Sequence, residues 1–195
     1  MRQSMPLDLN GFSVRRPQAV ALAGQLVLIG WDQSAGAEPQ SSTLRSAVSA
    51  DGGRTWTWLA PLDAGDRATL HGSPDGADAW LVPVPRPAAF PRLWRQVGDR
   101  WAEIPATGHP TAPGRYYAAA AGGARLAVAG PGGFGYVSAD GGWHTDPRLP
   151  GGLNRVDLLS DGALTLTDWA HPHRFYLGTG SADQRNWTEI VVEVG

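Results

Sequence analysis

The sequence has no cysteine, which excludes disulfide frameworks and thiolate-ligated zinc. It has no lysine either: all 16 basic residues are arginine, set against 18 acidic ones for a formal net charge of -2. With neither sign in surplus, nothing global draws the chain to nucleic acid or to an anionic membrane. No uninterrupted apolar stretch approaches the roughly 20 residues that a spanning helix needs. Residues 1–12 lack the basic-then-apolar order of a secretory leader, so the expected location is cytoplasmic unless export is directed from elsewhere. Charged residues make up only 17% of the chain, and helical periodicity is sustained nowhere. What is abundant is turn and aromatic material, 26 Gly, 16 Pro and 9 Trp, which suits many short strands better than a few helices.

The strands come in a repeat. Ser49-Ala50-Asp51-Gly52-Gly53-Arg54-Thr55-Trp56 recurs in worn form as Ser138-Ala139-Asp140-Gly141-Gly142-Trp143, as Ser181-Ala182-Asp183-Gln184-Arg185-Asn186-Trp187, and most eroded as Gly98-Asp99-Arg100-Trp101. The aspartates fall at 51, 99, 140 and 183, a period that suits one four-stranded antiparallel unit. Each copy follows an apolar strand (43–48, 93–97, 134–137, 174–177) and precedes a tryptophan-led one (56–59, 101–104, 143–149, 187–192). An earlier hairpin in each unit turns at Ala23-Gly24, Asp75-Gly76, Gly122-Gly123 and Asp161-Gly162, pairs that suit tight reversals. Its second strand runs over 26–31, 79–84, 126–129 or 164–169. The alanine run 118–121 reads as a buried inner strand. Four units of four strands, at about 12–62, 63–107, 108–150 and 151–195, follow an N-terminal extension at 1–11.

The pattern Ser-x-Asp-x-Gly-x-Thr-Trp at 49–56 resembles the Asp-box, or BNR repeat, of the β-propellers that include sialidases, sortilin-type receptors, photosystem-assembly propellers and several lectins. The resemblance implies an all-β fold: a β-propeller of four four-stranded antiparallel blades with the boxes at the turns between third and fourth strands. By its chemistry the box is a turn. Ser49 and Asp51 bond backbone groups, Gly53 permits positive φ, and Trp56 packs between blades. Asp140, Trp143, Asp183 and Trp187 take the same structural roles in the later copies. The ring closes either within one chain or as half of a larger ring completed by a homodimer.

An arginine stands near the start of each inner strand: Arg15 or Arg16, then Arg67, Arg115 and Arg155. Gathered at one end, their planar forks would form an anion site for carboxylate or phosphate; otherwise they solvate one face. Trp31 and Trp169, beside Asp32 and Asp168, are the candidates for stacking on a sugar ring. The resemblance to sialidases also makes Arg15, before Pro17, a candidate carboxylate-binding arginine and Asp32 a candidate general acid/base. The opening matches that family at Arg and Pro alone, and no glutamate is placed to activate Tyr116 or Tyr117 as nucleophile. His171-Pro172-His173 has no carboxylate cluster of metal-site type, and there is no phosphate loop. The expectation is a non-catalytic binding or assembly module with an axial arginine-lined anion site, without cofactor or metal. Its partner would be a protein, or an acidic or glycan ligand. The alternative is a carbohydrate-binding lectin or a sialidase-like glycoside hydrolase, intact or degenerate.

Overall fold

A computed structural model describes residues 14–32, 43–65, 67–84, 89–181 and 184–193, with the backbone alone at Val14, Arg15 and Asp32. The N-terminal extension and Asp183 lie outside the described residues. Among the described residues there are sixteen strands and no helix, hence none long and apolar enough to cross a membrane. They form four antiparallel sheets of four strands, each paired in chain order. The first comprises β1 (Val14–Leu22), β2 (Gln25–Asp32), β3 (Leu44–Ser49) and β4 (Thr57–Trp58), and the second β5 (Ala68–Gly72), β6 (Ala79–Pro83), β7 (Leu93–Val97) and β8 (Arg100–Ile104). The third comprises β9 (Tyr117–Gly122), β10 (Arg125–Gly130), β11 (Gly133–Val137) and β12 (Trp143–His144), and the fourth β13 (Arg155–Leu158), β14 (Leu164–Thr167), β15 (Arg174–Thr179) and β16 (Asn186–Val191).

Local chemistry sets where strands stop. At the turn between β5 and β6, Gly76 has φ 67°, a conformation that costs a side-chain-bearing residue and suits glycine. The expected strand 143–149 ends at His144, because Asp146 bonds the amide of Arg148 at 3.1 Å and Pro147 has no N–H for a ladder. The expected strand 164–169 ends at Thr167: Asp168 accepts the amides of Ala170 and, through its carbonyl, His171, turning the chain. In β1, Pro17 interrupts the ladder; the register shifts between Arg15 and Gln18, and Arg16 takes φ 51°.

Sheet stacks on sheet through three apolar cores. Val27, Ile29, Trp31 and Leu44 of the first sheet meet Leu70, Leu81 and Trp94 of the second. Trp80, Val82 and Leu93 of the second meet Tyr116, Leu126 and Val128 of the third. Ala127, Ala129 and Tyr136 of the third meet Val156, Leu164, Leu166 and Tyr176 of the fourth. Since successive residues of a strand point to opposite faces, β6 and β10, covered on both sides, are buried nearly throughout. The alanines at 118–121 lie in β9 and let inner strands approach closely. Polar links cross the same junctions. Gln18 bonds the carbonyl of Ala68 at 2.8 Å and the amide of Leu70 at 2.9 Å, while Asp75 takes the amide of Gly123 at 2.9 Å.

Close approach fixes the tryptophans at the start of two of the outer strands, Trp143 on β12 and Trp187 on β16. A Cβ on Gly135 would lie 2.4 Å from Trp143 and 2.8 Å from the His144 carbonyl oxygen, and one on Gly178 would lie 2.4 Å from Trp187. Gly135→Ala is therefore expected to cost about 1–3 kcal/mol through overpacking. Chemical denaturation checks this, and an unchanged midpoint would mean that the indole has room to move aside.

Candidate functional site

The turns between first and second strands stand together, the Ala23 amide donating to the Gly76 carbonyl at 2.7 Å, the Gly123 amide to Asp75 at 2.9 Å and Gly162 adjoining Pro74, so the first strands of all four sheets begin at the opposite end. The four arginine positions fall at this end. Arg115 precedes β9 by two residues, Arg155 opens β13, Arg67 immediately precedes β5, and Arg15 and Arg16 lie near the start of β1. Side-chain geometry separates them. Arg115 and Arg155 converge on one ring, their guanidinium carbons 5.9 and 5.6 Å from the centroid of Tyr117, within the ~6 Å reach of a cation–π contact. Arg16 and Arg67 are exposed and have no ring or ion-pair contact with this cluster, and the side chains of Arg15 and Asp32 lie outside the described residues.

Trp169 completes the group. Its ring stands edge-on to Tyr117 at 6.1 Å, yet the residue is 60% exposed, the most of any indole among the described residues. The turn that ends β14 holds it there: Asp168 pairs with Nδ1 of His171 at 2.8 Å, and this bond, with the Ala170 amide, holds the Asp168 carboxyl below its usual range. Arg155 is bonded by Asp157 at 2.7 Å, a pair in which both side chains are nearly half exposed. Arg115 has no carboxylate partner among the described residues and is exposed. The assembled surface is one free guanidinium, a second one partly neutralised, a tyrosine between them and an open indole face beside them.

Trp31 does not share this chemistry. It is 4% exposed, packs into the core between first and second sheets, and donates its indole N–H to the Gly65 carbonyl at 3.1 Å. No face remains for a sugar, so Trp31 is a packing residue. Tyr116 is likewise buried, its hydroxyl donated to the Ala112 carbonyl at 2.7 Å. Glu103 and Glu189 are held on β8 and β16 by Arg92 and Arg174. Among the described residues no group of three His, Cys, Asp or Glu is placed to hold a metal ion.

The aspartates of the repeated turns are occupied by backbone. Asp51 accepts the amides of Arg54 and Thr55 at 2.9 Å each and the hydroxyls of Thr55 and Ser49 at 2.7 Å. These bonds, Thr55 first, hold its carboxyl far below the usual range. Ser49 also accepts the amide of Gly53 at 2.8 Å, and the indole of Trp56 donates to the Gly53 carbonyl at 3.1 Å. Asp140 bonds Ser138 and the Gly142 amide, and its carboxyl is lowered chiefly by Ser138. At the far end of the stack, a concavity of about 450 Å³ is lined by turns of the second, third and fourth sheets. There the buried Arg185 donates to the carbonyls of Gly178 at 2.9 Å and Ala121 at 3.2 Å, tying the last two sheets together.

Tyr117 as the hub and the Asp168–His171 turn went unassigned in the sequence. The one local signal for them was the polar-aromatic run Asp168-Trp169 followed by His171-Pro172, a turn composition rather than a strand one. No family model matches the sequence, and no curated protein matches it significantly.

Proposed function

We propose that this chain is a non-catalytic binding module, an Asp-box β-propeller assembly whose four sheets are blades, and that its ligand is a carboxylate-bearing glycan held at the strand-opening end of the third and fourth sheets. The observation that carries this reading is the convergence of Arg115 and Arg155 on Tyr117 beside the open indole of Trp169. An exposed indole stacks on the apolar face of a sugar ring, and an unpaired guanidinium presents the fork that fits a carboxylate. Each group lies about 6 Å from the Tyr117 ring centre, so the two stand at most about 12 Å apart, within the span of a short acidic oligosaccharide. The repeated turns, the inner-strand alanines and the sheet order support the propeller reading. The backbone-satisfied aspartates of the turns contribute architecture rather than ligand contacts.

Calorimetric titration with uronic-acid oligosaccharides, against neutral oligosaccharides of the same length, tests the assignment. Binding of the acidic series is expected, with Arg115→Ala and Trp169→Ala each weakening it by about tenfold or more, equivalent to roughly 1.4 kcal/mol, at an unchanged melting temperature. Both residues are exposed, so their loss should leave the fold intact. Equal affinity for acidic and neutral sugars would remove the arginine role, and no affinity for either would remove the glycan.

A further inference from the structure

The two guanidinium groups beside Tyr117 differ in their partners. Arg115 is exposed and has no carboxylate partner among the described residues. Arg155 is held from its own strand: its Nε donates to one oxygen of Asp157 at 2.7 Å, and Nη2 donates to the other at 3.3 Å. A strand's period of two puts residues 155 and 157 on one face of β13, opposite Thr167 and Thr165 of β14, so the pair is built into the strand. Both side chains are nearly half exposed, so the pair is open to a ligand. The other carboxylate near the group, Asp168, is taken up by the His171 ring and the Ala170 amide. One guanidinium is thus left uncompensated, with carboxylates on either side of the aromatic pair.

A second anionic group arriving at Arg155 has to displace Asp157. The exchange replaces one carboxylate bond by another of the same kind. It also leaves Asp157, tethered two residues away, beside the incoming charge, and like charges so placed repel. A hydroxyl group meets no such conflict. Asp157 takes up two of the five N–H groups of Arg155, and both of its oxygens keep acceptor capacity. Left intact, the pair offers donors and acceptors side by side, which suits the neighbouring hydroxyls of a sugar.

We infer that Asp157 sets the charge of the ligand, restricting the site to unsulfated acidic glycans and rejecting sulfated or otherwise polyanionic chains. One carboxylate goes to Arg115, uncharged ring hydroxyls go to the Arg155–Asp157 pair, and a sugar face lies on Trp169. Discrimination of this kind comes from a repulsive element as much as from an attractive one. The inference rests on the acidic-glycan reading and adds to it the residue that chooses among acidic glycans.

Wild type and Asp157→Asn are titrated, at one ionic strength, with a uronic-acid tetrasaccharide and with its sulfated counterpart. The substitution keeps the shape of a half-exposed side chain, and an unchanged melting curve by circular dichroism is expected. The wild type should favour the unsulfated chain, and Asp157→Asn should tighten the sulfated one by about tenfold while moving the unsulfated one by less than about threefold. An equal gain for both, or a loss for both, would overturn the inference, because Asp157 would then only hold Arg155 in place. A ligand-free readout keeps the two readings apart. Quenching of Trp169 emission, taken as the difference between the chain and Trp169→Phe, is measured with iodide and with neutral acrylamide at low ionic strength, where charges act over roughly 30 Å. Asp157→Asn should raise quenching by iodide and leave quenching by acrylamide as it was. If neither saccharide binds, the glycan reading falls, and the iodide comparison still decides whether Asp157 governs the entry of anions. Iodide quenching that ignores the substitution overturns the inference whatever the saccharides do.

Discussion

Replacing Trp80 by alanine is expected to destabilise the fold by about 3–5 kcal/mol, the usual cost of deleting a large core aromatic. Trp80 is 0% exposed on β6 and packs, with Val82 and Leu93, against Tyr116, Leu126 and Val128 of the third sheet. It is therefore the largest single piece of the junction between the second and third sheets. Neighbouring strands are pinned by ladder bonds and by Asp75 and Asp78, which accept the amides of Gly123 and Ala124, so the site has little freedom to collapse into the void. For a domain of this size the loss corresponds to a fall in melting temperature on the order of 10 °C. The indole N–H of Trp80 is buried without a partner, which separates two contributions. Trp80→Phe keeps most of the volume and removes an unsatisfied donor worth roughly 1–3 kcal/mol, so it is expected to cost less than half of what alanine costs. If alanine and phenylalanine prove equally damaging, volume is not what the residue supplies.

The contrast between Trp31 and Trp169 shows which parts of this molecule can be read from the chain. Strand positions and turns were legible, because apolar stretches separated by Asp-Gly and Gly-Gly pairs leave few alternatives to antiparallel hairpins. Both tryptophans then look alike, each next to an aspartate at the end of a second strand. Their order relative to that aspartate decides the outcome. Trp31 precedes Asp32 and stays in phase with Val27 and Ile29, so the strand's period of two turns it into the core. Asp168 precedes Trp169 and ends the ladder by capping a turn, which lifts the indole out of the sheet. The arginines show a similar limit. Their spacing placed all of them at one end, but a common end is not a common site. Convergence of Arg115 and Arg155 depends on Tyr117 standing between two neighbouring inner strands, a tertiary fact. Arg16 is diverted by the bulge at Pro17, which spacing does not reveal.

Stability should fall as the solution is acidified from near neutrality, before most carboxylates titrate, because of His71. This residue lies on β5 directly opposite Trp80 in the ladder, hence on the face turned to the third sheet. The surrounding protein withholds water from the ring, and this burial pushes its pKa from 6.5 down to about 4. Between those values the unfolded chain binds a proton that the folded chain refuses. The contribution of the neutral ring is thus fully present above pH 6.5 and is lost progressively as the pH falls through 4, a total of about 1–3 kcal/mol, because the residue is only half-buried. Asp146, held at about 2 chiefly by Arg148, adds a further loss of the same sign only below its ordinary value of 3.8. Urea denaturation of the wild type from pH 7 to 4.5 should show a declining midpoint, and His71→Gln, which cannot titrate, should flatten the decline over that window. A wild-type midpoint that holds steady to pH 4.5 would mean that the ring is hydrated or finds an acceptor when charged. In that case the junction beside Trp80 is more open than its packing indicates, and the large cost expected for Trp80→Ala should shrink with it.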